Sequence, residues 1–281
     1  MCDSCGCVHD EKHAHHPHPH GRDEDKIRTE DKIRTEGKSR PSDNTHPGSK
    51  IHIDVREKIL AENDRRAAYV RERLVSLGVF SINLMGAPGC GKTTLLEKTI
   101  ERMGASIKIG VLEGDLETDL DAQRIRAKGV PAYQITTGRA CHLDAAMVLR
   151  GLDNLPVEGL DLLFVENVGN LVCPASYDLG THVNAALLSI PEGHDKPAKY
   201  PVMFRAVDLM IITKTDLSGV CDFDILRARD AALRINPRMT IIELSCRTGE
   251  GLQEWLSYIT DGRAKFLRKP PKKSPVKTDA P

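Results

Sequence analysis

The chain has 281 residues, with 40 Lys and Arg balanced by 40 Asp and Glu. This length allows one domain of roughly 200 residues with its own core. The balanced charge argues against nucleic acid or a membrane surface as partner and favours small ligands and proteins. No apolar stretch approaches the roughly 20 residues that cross a bilayer, and the first residues are polar. We therefore expect a cytoplasmic protein with reduced thiols.

The first 50 residues contain few large apolar side chains and many metal-binding ones. Such a segment buries too little surface to offset the entropy of ordering, which predicts a disordered arm over residues 1–50. A purification tag is the alternative explanation for the histidines, but Ala and Pro interleave with them and a cysteine cluster precedes them. Thiolates and imidazoles bind Zn²⁺ and Ni²⁺, and Ni²⁺ can be square-planar. The predicted ligands of one such ion are Cys2, Cys5 and Cys7.

Apolar residues at helical spacing predict a leading helix over 53–77 that ends at Gly78. Alternating or continuous apolar runs then predict strands at 79–85, 107–113, 132–136, 160–166, 185–190, 209–213 and 240–244. Helices are predicted between them at 94–103, 119–128, 142–150, 222–234 and 251–260. This alternation indicates a three-layer α/β domain over 51–265 with a mainly parallel sheet, and ligands at the carboxyl ends of the strands. Residues 266–281 are predicted to form a disordered basic tail.

A glycine-rich run, GAPGCGKT at 86–93, separates the first predicted strand from a helix. In this context it predicts a phosphate-binding loop of the P-loop NTPase type rather than an ordinary turn. The backbone N–H groups surround a phosphate, Lys92 neutralises the β and γ oxygens, and the Thr93 hydroxyl ligates Mg²⁺. The residues predicted to contact nucleotide here are Gly86, Gly89, Cys90, Gly91, Lys92, Thr93 and Thr94.

Acidic residues follow two of the predicted strands. Asp115 and Glu166 are predicted to hold Mg²⁺ directly or through water, with Asp121 as a weaker third candidate. A helix cap or a solvated turn is the alternative role for each of them. Together with Lys92 and Thr93, Asp115 and Glu166 form the predicted catalytic set. No arginine finger or water-orienting glutamine can be assigned, so we expect slow intrinsic hydrolysis.

The tetrapeptide TKTD at 213–216 is close to the Asn-Lys-x-Asp element that recognises guanine. Asp216 can accept two hydrogen bonds from guanine, whereas adenine offers no such donor pair, so GTP is favoured over ATP. Lys214 belongs to the same element, and the backbone around Ser245 and Cys246 can reach the base carbonyl. Thr213 replaces the asparagine, which is expected to weaken the bracing of the phosphate loop.

Two further segments carry possible metal ligands. Cys141 and His142 are predicted to begin a helix, and Cys173 lies shortly after Glu166. A buried cysteine is usually a small hydrophobe and a single histidine usually a core or capping residue. Both segments, however, leave the sheet edge that faces the γ-phosphate, so an ion there could respond to the nucleotide. Water or a second copy across a two-fold axis could complete this three-ligand set.

These motifs together resemble one family, the hydrogenase nickel-incorporation GTPases (HypB) of the SIMIBI class. The resemblance covers about residues 53–262 and is carried by GAPGCGKT at 86–93, EGD at 113–115, TG at 137–138, CHLDA at 141–145, ENVGNLVCP at 166–174 and KTD at 214–216.

The resemblance implies a GTP-dependent homodimer that delivers Ni²⁺ to the [NiFe]-hydrogenase large-subunit precursor, with a small nickel-binding zinc accessory protein as partner. It also implies a high-affinity nickel site at Cys2, Cys5 and Cys7. A weaker Ni²⁺/Zn²⁺ site at Cys141, His142 and Cys173 would lie near the dimer interface. Three alternatives stay open: passive nickel storage beside a separately acting GTPase, urease-type nickel insertion, and a small-molecule kinase.

Overall fold

The computed structural model describes residues 47–116, 119–138 and 140–268. The predicted nickel ligands Cys2, Cys5 and Cys7 lie outside the described residues, as does the end of the predicted tail. Among the described helices, none has both the length and the apolar character of a membrane span.

The centre of the domain is one seven-stranded sheet in which every pairing is parallel. Its order is β3-β2-β4-β1-β5-β6-β7. The α/β prediction is confirmed, and the strand positions agree with the sequence to within a few residues. The strands are β1 (Phe80–Gly86), β2 (Ile109–Asp115), β3 (Ala132–Thr136), β4 (Leu162–Glu166), β5 (Val183–Ser189), β6 (Leu209–Thr213) and β7 (Thr240–Leu244).

Helices cover both faces of this sheet. They are α1 (Pro47–Leu77), α2 (Lys92–Met103), α3 (Leu120–Arg126), α4 (Ala145–Asn154), α5 (Lys196–Lys199), α6 (Pro201–Ala206), α7 (Ile225–Ile235) and α8 (Leu252–Arg268). The core under α2, α3 and α8 contains Ile82 and Phe164, whereas the core under α1 and α4 contains Leu163 and Val165. Because alternate strand residues point to opposite faces, these cores form two layers around the sheet. The fold is that of a P-loop NTPase.

Trp255 on α8 lies at the centre of one layer. Its side chain is fully buried, and its indole Nε1 donates a hydrogen bond to Thr99 Oγ1 at 2.8 Å. Thr99 in turn donates to the Leu95 carbonyl at 2.7 Å within α2. The indole therefore packs α8 directly against the helix that follows the phosphate loop.

Most helix boundaries differ from the sequence prediction by a few residues, and three of the differences matter for the site or for the domain limits. α4 begins at Ala145 rather than at His142, because Asp144 adopts an extended conformation and its side chain accepts a hydrogen bond from the Met147 N–H. Cys141 and His142 therefore lie in a loop, which corrects their predicted position in a helix. α1 begins at Pro47, inside the segment assigned to the arm, and α8 continues to Arg268, inside the segment assigned to the tail. The short helices α5 and α6 were not predicted.

Candidate nucleotide and metal site

The phosphate loop joins β1 to α2 at the carboxyl edge of the sheet. Gly89 and Gly91 have φ angles of 75° and 101°, which only glycine adopts easily. A cleft of about 500 Å³ opens beside the loop. It is lined by the loop, by the ends of β2 and β4, and by Asp121 and Lys214. The structure thus brings the predicted phosphate, magnesium and base residues to one edge.

Glu166 is the carboxylate nearest to the loop. Its Oε1 accepts a hydrogen bond from Thr93 Oγ1 at 3.0 Å and lies 3.9 Å from Lys92 Nζ. Burial raises the pKa of Glu166 to about 7, against the opposing effect of the Lys92 charge. Its other oxygen, Oε2, is buried without a hydrogen-bond partner. A hydroxyl beside a carboxylate with a spare oxygen is the donor set that Mg²⁺ prefers, so these residues fit that ion.

The other predicted acidic residues also line the cleft. Asp115 Oδ1 accepts a hydrogen bond from the Leu116 N–H at 2.6 Å, which fixes the carboxylate at the end of β2. Asp121 pairs with Arg124 at 2.9 Å. Arg124 also contacts Glu97 at 2.8 Å, so its guanidinium is held by two carboxylates.

Glu113 is a cleft residue that the sequence analysis did not select. It is 2% exposed, and its Oε1 has no hydrogen-bond partner. Burial, together with the nearby Glu166, raises the pKa of Glu113 well above its usual value. The sequence showed only a glutamate at the end of an apolar strand, and nothing in that pattern distinguished an inward side chain from a solvated one.

A second cavity, of about 300 Å³, adjoins the phosphate loop where a base would lie. Asp216 Oδ1 accepts a hydrogen bond from Ser245 Oγ at 2.6 Å, and Arg247 Nε lies 3.5 Å from Oδ2. Cys246 also lines this cavity, and burial raises its pKa to about 11. The Ser245 hydroxyl therefore holds the Asp216 carboxylate at the cavity wall.

Two side chains from the TKTD element tie this cavity to the phosphate loop. Lys214 Nζ donates to the Gly89 carbonyl at 2.7 Å. Thr213 Oγ1 donates to the carbonyl of Cys90, also at 2.7 Å, in a buried position. Thr213 therefore makes a direct bracing contact with the phosphate loop. Burial raises the pKa of Cys90 to about 11, so this loop residue is a neutral thiol that packs against Gly86.

The predicted inner metal ligands converge. The ligand atoms of Cys141, His142 and Cys173 all lie within 4.8 Å of one another. A hydrogen bond with the Cys173 thiol raises the pKa of Cys141, and burial lowers the pKa of His142. The His142 ring stacks on Tyr177 with the ring centroids 4.0 Å apart. A neutral imidazole between two thiols is a donor set suited to Ni²⁺ or Zn²⁺.

One short segment, 166–173, connects the metal cluster to the phosphate loop. It begins at Glu166 in the cleft and ends at Cys173 in the cluster. Between them, the Asn170 backbone N–H donates to the Gly86 carbonyl at 2.9 Å, and its side-chain amide donates to the Cys141 carbonyl at 3.3 Å. Gly169 lies directly against Pro88. The segment therefore contacts both sites at once.

Known proteins are similar to this chain in sequence and in fold. The description of the matching family is CobW/HypB/UreG, nucleotide-binding domain, and its match covers residues 80–243. The hydrogenase maturation factor HypB of Azotobacter chroococcum mcd 1 is 53% identical over 218 residues, which cover 77% of this chain and 71% of the relative. The chain belongs to the HypB family.

HypB proteins of other organisms support this assignment. The hydrogenase/urease maturation factor HypB of Helicobacter pylori J99 is 43% identical over 217 residues, covering 76% of this chain and 89% of the relative. A crystal structure of HypB from Helicobacter pylori in complex with nickel superposes with a TM-score of 0.70. That structure is 41% identical, and the match covers 73% of this chain and 96% of the other.

The HypB domain thus contains a nucleotide-binding P-loop fold, in which the cleft and the adjoining cavity gather the residues predicted for phosphate, magnesium and base. Three features were not predicted from the sequence: the buried Glu113 carboxyl, the Thr213 hydrogen bond to the loop and the Asn170 bridge. Each depends on which strands and loops become neighbours, and this is set by the tertiary fold.

Proposed function

We propose that this chain is a GTP-hydrolysing nickel metallochaperone that delivers Ni²⁺ to the [NiFe]-hydrogenase large-subunit precursor. The observation that supports this most directly is the 166–173 segment, because its residues contact both the phosphate loop and the cysteine–histidine cluster. A movement of this segment on nucleotide exchange would change the geometry around the ion.

The nucleotide proposed for the cleft is GTP with Mg²⁺. Asp216 accepts hydrogen bonds from guanine, and Lys92 neutralises the phosphates. Thr93, Asp115 and Glu166 hold Mg²⁺, which neutralises developing charge on the phosphate oxygens. Arg124 lines the cleft but is paired with Glu97 and Asp121, and no glutamine lines it within the described residues. A slow intrinsic rate follows, and a single-turnover assay with rapid phosphate release would contradict it.

The proposed cargo site consists of Cys141, His142 and Cys173. Three ligands leave a tetrahedral set incomplete, so we propose that GTP brings two copies of the chain together over this surface. Cys2, Cys5 and Cys7 would form a separate, tighter nickel site, and a small nickel-binding zinc accessory protein would exchange metal with the homodimer. The HypB structure in complex with nickel, at 41% identity, supports Ni²⁺ as the cargo.

The coupling between the two sites can be measured directly. In a Cys2→Ser, Cys5→Ser, Cys7→Ser variant whose arm histidines are also replaced by Gln, only the inner cluster is expected to bind Ni²⁺ with useful affinity; these histidines are His9, His13, His15, His16, His18 and His20. We expect Ni²⁺ titrations with GDP and with a non-hydrolysable GTP analogue to differ by about fivefold or more, because two linked sites must shift each other's affinity. Adding Cys173→Ser provides the control and should remove the inner site. Equal Ni²⁺ affinities in the two nucleotide states would instead favour passive storage.

A second measurement separates the remaining alternatives. Release of the γ-phosphate into solution supports a GTPase, whereas its transfer to an acceptor supports a kinase. The name of the Helicobacter pylori relative includes urease, so nickel transfer is measured to two metal-free acceptors, the hydrogenase large-subunit precursor and a urease precursor. If nickel is transferred only to the urease precursor, urease and not hydrogenase is the target.

A further inference from the structure

Three polar side chains form one row across adjacent strands behind the phosphate loop. Glu113 on β2 is the register partner of Gln134 on β3, and also of Glu166 on β4. Neighbouring parallel strands lie about 4.8 Å apart, so the side chains in such a row can contact one another.

All three side chains point to the same face of the sheet. Two residues before them on each strand, Val111, Ala132 and Phe164 belong to the core under α2, α3 and α8. Side chains alternate along a strand, so residues two positions apart share a face. The row Gln134–Glu113–Glu166 therefore runs from the sheet edge at β3 towards Lys92 and Thr93.

The row contains an unusual number of unpartnered polar atoms. Glu113 and Glu166 are 2% and 5% exposed. The atoms Glu113 Oε1, Glu166 Oε2, Gln134 Oε1 and Gln134 Nε2 are buried and have no partner with a fixed hydrogen among the described residues, although the Glu113 and Glu166 carboxyl groups are close enough to share one proton between them. Leaving such an atom unpaired destabilises the fold, and native proteins retain few of them. Gln134 Nε2 is itself a donor, but the carboxyl oxygens of Glu113 and Glu166, which line the cleft, point to a ligand that supplies hydrogen-bond donors.

Hydrated Mg²⁺ is such a ligand, because this ion usually keeps several waters whose hydrogens need acceptors. Glu113 lines the cleft and offers a free carboxylate oxygen beside Glu166. Gln134 does not line the cleft, and its unpaired Nε2 makes no hydrogen bond to Glu113 in this structure; the Glu113 carboxyl on the neighbouring strand is the acceptor that lies beside it.

We propose that Glu113 accepts hydrogen bonds from the water shell of Mg²⁺ and that Gln134 positions Glu113 for this role. The proposal rests on the proposed GTPase function, for which Thr93, Asp115 and Glu166 are the inner ligands. It extends the magnesium site by two residues that lie one and two strands away from Glu166. Partners of this kind typically change metal affinity by about 10–100-fold.

The test measures metal binding without turnover. Mn²⁺ replaces Mg²⁺ in the GDP complex, and free Mn²⁺ is followed by electron paramagnetic resonance. We expect Glu113→Leu to weaken Mn²⁺ binding about tenfold or more, and Glu113→Gln, which keeps an acceptor oxygen, to stay within about threefold of wild type. Gln134→Leu should weaken binding about threefold or more. GDP affinity in EDTA should stay unchanged, because the row contacts the nucleotide through the ion.

Tyr133→Phe is the matched control, since Tyr133 is the neighbouring β3 residue and packs in the opposite layer. It should leave Mn²⁺ binding unchanged. A wild-type Mn²⁺ affinity in Glu113→Leu would overturn the proposal. If that variant does not fold, a wild-type affinity in Gln134→Leu would overturn it equally.

GTP hydrolysis by the wild-type chain is measured in parallel. If the wild-type chain does not hydrolyse GTP but the variants bind Mn²⁺ more weakly, the proposed function is rejected and the role of Glu113 and Gln134 in metal binding is retained. If the wild-type chain hydrolyses GTP and the variants bind Mn²⁺ as wild type does, the role of Glu113 and Gln134 is rejected and the proposed function is retained.

Discussion

At the scale of single residues, the base cavity depends on one carboxylate whose position is set by a neighbour. Ser245 Oγ donates to Asp216 Oδ1 at 2.6 Å, which leaves Asp216 Oδ2 facing Arg247. A carboxylate fixed in this way presents acceptors only, and the edge of guanine presents two donors. Under the proposed function, this arrangement would select guanine by hydrogen-bond polarity rather than by cavity size.

Replacing this carboxylate by an amide should change the preferred base. We expect Asp216→Asn to lower GDP affinity about 100-fold or more, because one acceptor becomes a donor that opposes the guanine amino group. The same amide can donate to the 2-oxo group of xanthine, so affinity for xanthosine diphosphate should rise. Competition binding of the two nucleotides measures both effects. Asp222→Asn, an exposed change outside the cavity, is the control. Unchanged GDP affinity would reject the assigned role of Asp216.

The Thr213 hydroxyl supplies a buried hydrogen bond to the Cys90 carbonyl. Thr213→Val keeps the shape of the side chain and removes this donor. We expect the free energy of unfolding to fall by about 1–3 kcal/mol, with weaker GDP binding because the phosphate loop loses its brace. Urea denaturation and GDP titration measure the two effects. Thr213→Ser retains the hydroxyl and should resemble wild type; a Thr213→Val variant with wild-type values of both would contradict the brace.

At the scale of secondary-structure elements, periodicity in the sequence predicted all seven strands and the long helices. It failed where a local hydrogen bond decides a boundary: the Asp144 side chain caps α4, so Cys141 and His142 stay in a loop. It also failed for α5 and α6, which are too short to show a period. The row of Gln134, Glu113 and Glu166 depends on strand order, which a single sequence does not reveal.

The contact between the 166–173 segment and the phosphate loop can be tested at a glycine. A Cβ added at Gly169 would lie 2.9 Å from Pro88 Cγ and 3.0 Å from its Cα and N. Overpacking of this kind costs about 1–3 kcal/mol. We therefore expect Gly169→Ala to weaken GDP binding about tenfold and to change Ni²⁺ affinity at the cluster. Gly219→Ala, which meets no atom within 4 Å, should change neither. A wild-type GDP affinity in Gly169→Ala would contradict the prediction, because it would show that a shift of Pro88 does not disturb the phosphate loop.

At the scale of the whole molecule, two helices outside the matched family region seal the two layers of the domain. The family match covers residues 80–243, whereas α1 precedes it and α8 follows it. α1 contributes Val70 and Leu74 to one layer, and α8 contributes Trp255 and Ile259 to the other. Asn63 on α1 also accepts a hydrogen bond from the Ala145 N–H at the start of α4. The folded unit therefore extends beyond the nucleotide-binding region itself.

The buried Glu166 should make overall stability depend on pH. Its folded-state pKa is raised from 4.5 to about 7, mainly by burial. Between these values the folded protein holds a proton that the unfolded chain releases, so the free energy of unfolding decreases as pH rises through this window. The expected loss is on the order of 1–3 kcal/mol. Urea midpoints followed by circular dichroism at pH 5, 6 and 7, without nucleotide, measure it.

Comparison with variants isolates this effect from other titrating groups. Glu166→Gln should have a flatter profile than wild type, because the amide does not titrate and because the raised pKa of the neighbouring Glu113 depends in part on Glu166. His142 acts in the opposite direction, since burial lowers its pKa, and it is present in both proteins. Glu101→Gln is the control: the pKa of this exposed carboxyl is lowered to about 2 by its hydrogen bond to Lys128, so its contribution is lost only as the pH falls below about 4.5. Identical slopes in wild type and Glu166→Gln would contradict the prediction.

The hydrogen bond from Trp255 to Thr99 has a practical consequence for spectroscopy. The chain contains a single tryptophan, and its indole is attached to the helix that begins at Lys92. Tryptophan emission from the unmodified protein therefore comes from one side chain, which is hydrogen-bonded to the helix that follows the phosphate loop. Nucleotide loading that shifts this helix would alter the intensity or wavelength of that emission. Exchange kinetics could then be followed in stopped flow without any dye attached to protein or ligand.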